Sequence, residues 1–311
     1  MENQNNNQNN QIQPESGHHR HISGKMIAFF LTVVFILAIS SFWLVNRFVF
    51  RYEPIKDLQI NSEIIKKNET LAKATAEVVK AQINKILLIG SFYSDKKDFI
   101  AFIEKGKWQD AINSTYGAFK EVPSESLDRI ALFDMTGTTM ANTPSGQGQL
   151  LGQNFAFRDW YRGVTTNFKP YVSEVYVRAT DPKFNVVGVA FPVINNKGVP
   201  VAILLFTVKT DTFVRWLSEA KFGNSGRSFI VDQRGQVVAH PEIPPQGGIV
   251  DYSSRSDVQR VISGKSGTDI VLNSKNERAV VSFEPIPEFH WGVITIIKIE
   301  ELEASGLVKV K

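Results

Sequence analysis

A short aromatic and basic block near the middle of the chain carries the side chains best suited to hold a small ligand. Residues 154–161 read Asn-Phe-Ala-Phe-Arg-Asp-Trp-Tyr, and residues 169–176 read Lys-Pro-Tyr-Val-Ser-Glu-Val-Tyr. If a short helix forms over 157–164, Arg158 and Tyr161 share one of its faces. A guanidinium offers a planar fork of donors to a carboxylate, and Trp and Tyr supply apolar walls with orienting polar groups. The block therefore predicts a pocket for a small anion.

A purely structural interpretation of the same block stays open on composition alone. In that interpretation Trp160 and Tyr161 are core aromatics, and Arg158 pairs with a nearby acid. The types of these residues do not decide between a ligand site and a scaffold.

A second motif suggests phosphoryl transfer but lacks the parts that this chemistry needs. Asp134-Met-Thr-Gly-Thr has the form of an aspartyl-phosphate loop, which also requires a Gly-Asp metal-binding motif and a helper Lys. The dipeptide Gly-Asp occurs nowhere in the chain, and the related segment at Asp232 keeps the Asp and Gly without either Thr. Asp and Gly are what a tight turn requires. We interpret both segments as turns and predict neither an enzyme, nor a cofactor, nor a metal site.

Composition excludes several other classes of protein. The 311 residues include 35 Lys plus Arg and 31 Asp plus Glu, a net charge of +4, and 43% are hydrophobic. This is ordinary globular composition, and near-balanced charges without a basic stripe argue against a nucleic-acid partner. The absence of Cys removes disulfides, thiolate metal sites and cysteine nucleophiles.

The N-terminal region predicts a membrane anchor. Residues 1–25 are rich in Asn and Gln and predict a disordered tail. Twenty uncharged residues follow from Met26 to Val45, enough to cross a bilayer, and with their flanks they predict a transmembrane helix over 26–48. A signal peptide cleaved near Ser40 is the alternative. The anchor is favoured because the apolar run continues beyond that point.

A long helix is predicted to continue from the membrane as a stalk over residues 49–92. Its apolar residues follow three-and-four spacing with charges on the other faces; they include Ile60, Ile64, Leu71, Ala74, Val78 and Ala81. A second helix is predicted over 95–112, and a connecting helix over 212–219.

The rest of the chain contains an internal duplication. Residues 129–144 align with residues 227–241, and each copy reads as a strand, an Asp-x-x-Gly turn and a second strand. Three further strands are predicted after each hairpin, over 171–178, 186–194, 199–208, 268–272, 279–284 and 291–297. The pattern predicts an α+β fold with two similar modules, each an antiparallel sheet with helices.

Together these features resemble the double Cache family, the extracytoplasmic ligand-binding regions of bacterial chemoreceptors, sensor kinases and cyclic-dinucleotide enzymes. The resemblance implies two PAS-like modules on the stalk helix, which we place at 93–215 and 216–298. The first would be membrane-distal and would bind the ligand, while the second would be membrane-proximal. The resemblance also implies a cytoplasmic tail, a single pass through the inner membrane and an extracytoplasmic location from about residue 50 onward.

The resemblance also implies which residues touch the ligand. In the amino-acid-binding branch, an Arg-x-Trp-Tyr block binds the carboxylate and a later Tyr assists. The Asp that holds the ammonium in that branch is replaced here by Thr207, and a Tyr before the block is replaced by Gln153. A neutral Thr forms no charge-assisted bond to an ammonium, so we expect a carboxylate ligand other than an ordinary α-amino acid. The predicted ligand-binding residues are Arg158, Trp160, Tyr161, Tyr171, Tyr176 and Thr207.

The expected function is that of a sensory region for signal transduction or chemotaxis, dimeric through the long helix. Residues 299–311 resemble the start of an exit helix. Because the sequence stops at Lys311, the resemblance favours a fragment of a longer receptor. The alternative is a membrane-anchored accessory binding protein without its own output domain.

Overall fold

The computed structural model describes residues 62–118, 122, 126–143, 150–218, 226–246, 248–272 and 277–304. The predicted tail and membrane helix lie outside these residues. None of the helices within the described ranges is both long enough and apolar enough to cross a bilayer.

One long helix, α1 (Ser62–Ser94), runs beside both sheets of the molecule. Its buried side chains recur every three or four residues, and Val79, Ile83 and Ile86 belong to the largest hydrophobic cluster. Gly90 lies against the ring of Phe191, where an added Cβ would come within 2.1 Å of the ring. The stripe therefore packs inward as an amphipathic helix should.

Two short helices, α2 (Lys97–Glu104) and α3 (Trp108–Ser114), follow α1. The prediction of one continuous helix over 95–112 is wrong. Gly106 has a φ of +70°, a left-handed conformation that ends a helix and that glycine adopts without steric cost.

The first sheet has five antiparallel strands in the order β2-β1-β5-β4-β3. One face packs on α1, and α4 (Asp159–Asn167) packs against the other. The strands are β1 (Leu127–Phe133), β2 (Thr139–Thr143), β3 (Tyr171–Val177), β4 (Asn185–Ile194) and β5 (Pro200–Lys209).

The second sheet repeats this topology in the order β7-β6-β10-β9-β8, also antiparallel. The predicted α+β fold with two antiparallel sheets is confirmed, whereas the domain boundaries at 93, 216 and 298 stay predictions. Its strands are β6 (Arg227–Val231), β7 (Val237–Ala239), β8 (Gly267–Leu272), β9 (Arg278–Ile286) and β10 (Trp291–Lys298). The remaining helices are α5 (Thr210–Ser218), α6 (Ser256–Ile262) and α7 (Ile299–Ala304).

The two Asp-x-x-Gly segments form equivalent turns between the first two strands of each sheet. Oδ1 of Asp134 accepts the backbone N–H groups of Thr136 and Thr138, both at 2.9 Å. Oδ1 of Asp232 accepts those of Arg234 and Gln236 at 2.9 and 3.0 Å. The Oδ1 atoms of both aspartates thus stabilise turns, as predicted.

Candidate functional site

A cleft with a cavity volume of about 50 Å³ opens between the outer face of the first sheet and the start of α4. The pairing of strands places three residues side by side at the floor of the cleft. Thr207 on β5 lies between Arg129 on β1 and Gly188 on β4. Directly paired residues of antiparallel strands point to the same side of a sheet. The apolar walls are Ala131, Phe133, Leu150, Phe155, Trp160, Val186 and Leu205.

Arg158 stands at the entrance to α4, in extended backbone immediately before the helix begins. Its guanidinium carbon lies 4.7 Å from the centre of the Tyr176 ring and 5.2 Å from that of Phe157. Nη2 donates to the carbonyl of Val177 at 3.4 Å. No carboxylate of the described residues forms an ion pair with Arg158. The Arg158 guanidinium therefore forms cation–π contacts with two aromatic rings and lines the cleft.

Trp160 fits both interpretations that the sequence left open, a core aromatic and a wall of the pocket. Its side chain is only 2% exposed and packs on Phe133 with the ring centres 4.7 Å apart. It also lines the cleft. A core aromatic thus forms one wall of the pocket.

Tyr176 and Thr207 provide neutral hydrogen-bonding groups at the floor. The Tyr176 hydroxyl is hydrogen-bonded to the Thr207 side chain. Burial raises the pKa of Tyr176 to about 12, although the neighbouring Arg158 and the Thr207 bond act in the opposite direction. The phenol therefore stays protonated at neutral pH.

Four polar residues of the cleft were missed by the sequence prediction: Asp128, Arg129, Arg178 and Thr180. Nε of Arg178 lies 2.9 Å from Oδ2 of Asp128. Arg129 is 4% exposed and donates from Nη2 to Oγ1 of Thr180 at 3.2 Å. Burial lowers the pKa of Arg129, but an arginine remains a cation. The available signal was the charged Asp-Arg pair at the start of an otherwise apolar strand.

Two of the predicted ligand-binding residues lie outside the lining of this cleft. The Tyr161 hydroxyl donates to the carbonyl of Met135 at 2.9 Å. The Tyr171 hydroxyl donates to Oδ1 of Asp159 at 3.2 Å, and burial raises the pKa of Tyr171 to about 12. The structure thus brings together Arg158, Trp160, Tyr176 and Thr207, but not Tyr161 and Tyr171.

The family model dCache_1, described as a Cache domain, matches residues 57–305. The chain belongs to the double Cache family. The resemblance inferred from the sequence is therefore confirmed. Cache domains of this family are extracytoplasmic sensor domains of membrane receptors, and those of chemoreceptors are generally not enzymes.

Solved sensor domains share the fold of this Cache chain. The ligand-binding domain of the Pseudomonas aeruginosa PAO1 amino-acid chemoreceptor PctB, in complex with L-Arg, is 17% identical with a TM-score of 0.57, covering 78% of this chain and 91% of that one. The ligand-binding domain of the Pseudomonas fluorescens chemoreceptor CtaA, in complex with L-isoleucine, is 16% identical with a TM-score of 0.54, covering 76% and 93%. The periplasmic sensory domain of the Campylobacter jejuni chemoreceptor Tlp1 is 10% identical with a TM-score of 0.57, covering 79% and 98%. No curated protein matches significantly.

The second Cache module also has an arginine immediately before a helix, but there the arginine pairs with an acid of the same module. Arg255 precedes α6 as Arg158 precedes α4, again in extended backbone. Its Nε and Nη2 donate to Oδ1 and Oδ2 of Asp257 at 3.1 and 2.8 Å. Asp257 follows Arg255 by two residues, as Trp160 follows Arg158, and it is fully buried. The arginine that precedes the helix in the second module is thus paired with a carboxylate of the chain itself.

Proposed function

We propose that this chain is the extracytoplasmic ligand-binding region of a membrane receptor and that its first Cache module binds a small carboxylate. One observation carries the proposal: Arg158 points into a cleft, stacked on Tyr176, and has no acid partner among the described residues. The internally paired Arg255 of the second module gives the contrast.

The charges of the cleft favour a carboxylate over an α-amino acid. A guanidinium bound to a carboxylate forms charge-assisted hydrogen bonds, which contribute about 1.5–3 kcal/mol each. An ammonium would need an acid, but Thr207 is neutral and Asp128 already pairs with Arg178. The amino acids named with PctB and CtaA are ligands of those proteins.

The proposed receptor role includes a membrane anchor and pairing with a second copy of the chain. We infer that the span over 26–48 anchors the protein in the inner membrane and that α1 pairs with α1 of another copy. Apolar side chains on the outer surface of α1 support this pairing, since Val78, Leu88 and Phe92 are 45%, 72% and 56% exposed. Exposed apolar patches mark protein–protein contact sites when they are contiguous and large.

The test is calorimetric titration of the full chain in detergent with a panel of monocarboxylic acids, dicarboxylic acids and amino acids. We expect binding by carboxylates that lack an amine, and at least a 10-fold loss of affinity in Arg158→Ala. Arg162→Ala is the matched control, because Arg162 is an exposed arginine on the same helix. Unchanged affinity in Arg158→Ala would contradict the proposal.

A further inference from the structure

The charged residues of the cleft leave one guanidinium group for a ligand. The Asp128 carboxylate lies beside the other two. Nε of Arg178 is 2.9 Å from its Oδ2, and burial lowers the pKa of Arg129 while the neighbouring Asp128 opposes this effect. Arg158 instead contacts aromatic rings and a backbone carbonyl, and it forms no ion pair with a carboxylate of the described residues. The lining therefore favours a ligand with one carboxylate and an uncharged remainder.

Two hydroxyl groups lie next to Arg158 in the cleft. The Arg158 guanidinium stacks over the ring of Tyr176, with its carbon 4.7 Å from the ring centre. The hydroxyl of the same ring is bonded to Thr207, and both residues line the cleft. The cation and this hydroxyl pair, Tyr176 and Thr207, are therefore neighbours. A ligand whose carboxylate binds Arg158 brings its next carbon toward the pair.

The hydroxyl pair has hydrogen-bonding capacity left for a ligand. Each hydroxyl can donate one hydrogen and accept two, and the bond between Tyr176 and Thr207 uses only one of the two hydrogens. Neither side chain forms a further hydrogen bond within the part of the chain that the structure describes. Thr207 is only 7% exposed. Because a buried hydroxyl hydrogen without an acceptor is costly, a ligand hydroxyl, which both accepts and donates, suits this position.

The remaining space in the cleft is apolar and small. Its cavity volume is about 50 Å³, whereas one water molecule needs about 10–15 Å³ by the same measure. Phe133, Phe155 and Leu205 form its walls. Gly188 keeps the floor open, because a Cβ there would lie 3.2 Å from the Tyr176 hydroxyl. The cleft therefore suits an acid with a short carbon chain.

We infer that the ligand is a short 2-hydroxy monocarboxylate and that the hydroxyl pair of Tyr176 and Thr207 recognises its hydroxyl group. The inference rests on the proposed function and specifies its ligand class. Arg158 binds the carboxylate, the hydroxyl pair binds the group on the adjacent carbon, and the apolar walls contact the remaining carbons.

The test compares acids that differ in one substituent on the carbon next to the carboxylate. Lactate, isobutyrate and alanine carry a hydroxyl, a methyl and an ammonium group at this carbon. Glycolate with propionate, and 2-hydroxybutyrate with 2-methylbutyrate, give two further hydroxyl–methyl pairs. Each acid is titrated calorimetrically into the full chain in detergent. We expect the hydroxy acid of at least one pair to bind 10-fold or more tightly than its methyl partner, because the methyl group leaves the hydroxyl pair without a bond. Lactate should also bind more tightly than alanine.

Removing the two hydroxyl groups from the protein tests the assignment of residues. Tyr176→Phe keeps the ring that stacks on Arg158, and Thr207→Val keeps the shape of the side chain. Each should reduce the preference for the hydroxy acid, and the double variant should abolish it while the affinity for the methyl partner stays within about twofold. Tyr161→Phe is the matched control, because the Tyr161 hydroxyl bonds the carbonyl of Met135 outside the cleft. It should leave the preference unchanged.

The wild-type comparison depends on no variant, so it decides even if a variant fails to fold. Methyl acids that bind as tightly as their hydroxy partners, and lose affinity in Arg158→Ala, would overturn the hydroxyl site and leave the carboxylate site of the proposed function standing. Tighter binding of alanine than of lactate would also overturn the inference. Absence of binding by every acid would overturn both the inference and the proposed function.

Discussion

Asp159 of the first module and Gln233 of the second are joined by a hydrogen bond of 3.2 Å from Nε2 to Oδ2. Asp159 lies between Arg158 and Trp160, and Gln233 also accepts a 2.9 Å bond from the indole N–H of Trp291 on β10. The segment that lines the cleft is therefore connected directly to the core of the second module. On the proposed function, a ligand bound at Arg158 would act on the residue next to this connection.

We expect loss of this bond to uncouple the second module from the ligand site. In the wild type, a saturating carboxylate ligand should slow hydrogen exchange of the β6–β7 turn amides, and in Gln233→Leu this protection should fall at least several-fold while affinity stays similar. Hydrogen exchange with mass spectrometry measures both segments. Gln236→Leu, on the same turn, is the control. Full protection of the turn in Gln233→Leu would show that coupling runs elsewhere.

We expect Asp232 to make a pH-dependent contribution to the free energy of unfolding. It is fully buried, its Oδ2 accepts the N–H of Val175 in the first module at 2.9 Å, and burial raises its pKa to about 6 against three opposing backbone bonds. The folded state thus binds a proton between about pH 4 and 6 that the unfolded state releases. The contribution of this residue is fully present below about pH 4 and falls as pH rises through 6, by up to roughly 3 kcal/mol.

Denaturant unfolding of the wild type and Asp232→Asn across this range tests the sign. The wild-type minus variant free energy of unfolding should decrease from about pH 4 to 6 and then level off. A difference that rises with pH would contradict the assignment.

Asp257→Asn should destabilise the protein strongly. The substitution leaves the Arg255 guanidinium, which is 10% exposed, without its anionic partner among apolar and aromatic neighbours. Breaking a buried ion pair from one side costs about 3–5 kcal/mol. Denaturant unfolding measures the loss, and Arg255→Met combined with Asp257→Asn should recover part of it. An unchanged free energy of unfolding in Asp257→Asn would show that Asp257 is not needed to neutralise the charge of Arg255.

Leu88→Glu should weaken dimerisation. Leu88 is the most exposed of the large apolar side chains on α1, and Phe92 lies one turn beyond it. A carboxylate in an apolar helix seam has no partner and cannot be desolvated cheaply. Sedimentation of the full chain in detergent should show a dissociation constant at least 10-fold higher. Val199→Glu places the same charge on an exposed apolar site in the β4–β5 turn and should have no effect. A wild-type monomer would refute α1 pairing.

Much of the fold was predictable because its elements are encoded locally. Apolar runs bounded by turn residues predicted the strands within two residues, and the repeated Asp-x-x-Gly turns revealed the duplication. The Arg158-x-Trp160 block was recognisable because its members are neighbours in sequence at a helix start. The same comparison, made at Arg255-x-Asp257, would have shown that an acid follows the arginine of the second module by two residues.

Tertiary structure alone decided which side chains meet in the cleft. Arg129 and Thr180 are 51 residues apart, and only strand register brings them together. Tyr171 and Tyr176 should point to opposite faces of β3 by their odd spacing. A bulge between Val172 and Val175 shifts the register and turns both toward α4, where Asp159 holds Tyr171 outside the cleft. A bulge depends on pairing with a distant strand, so the local sequence does not reveal it.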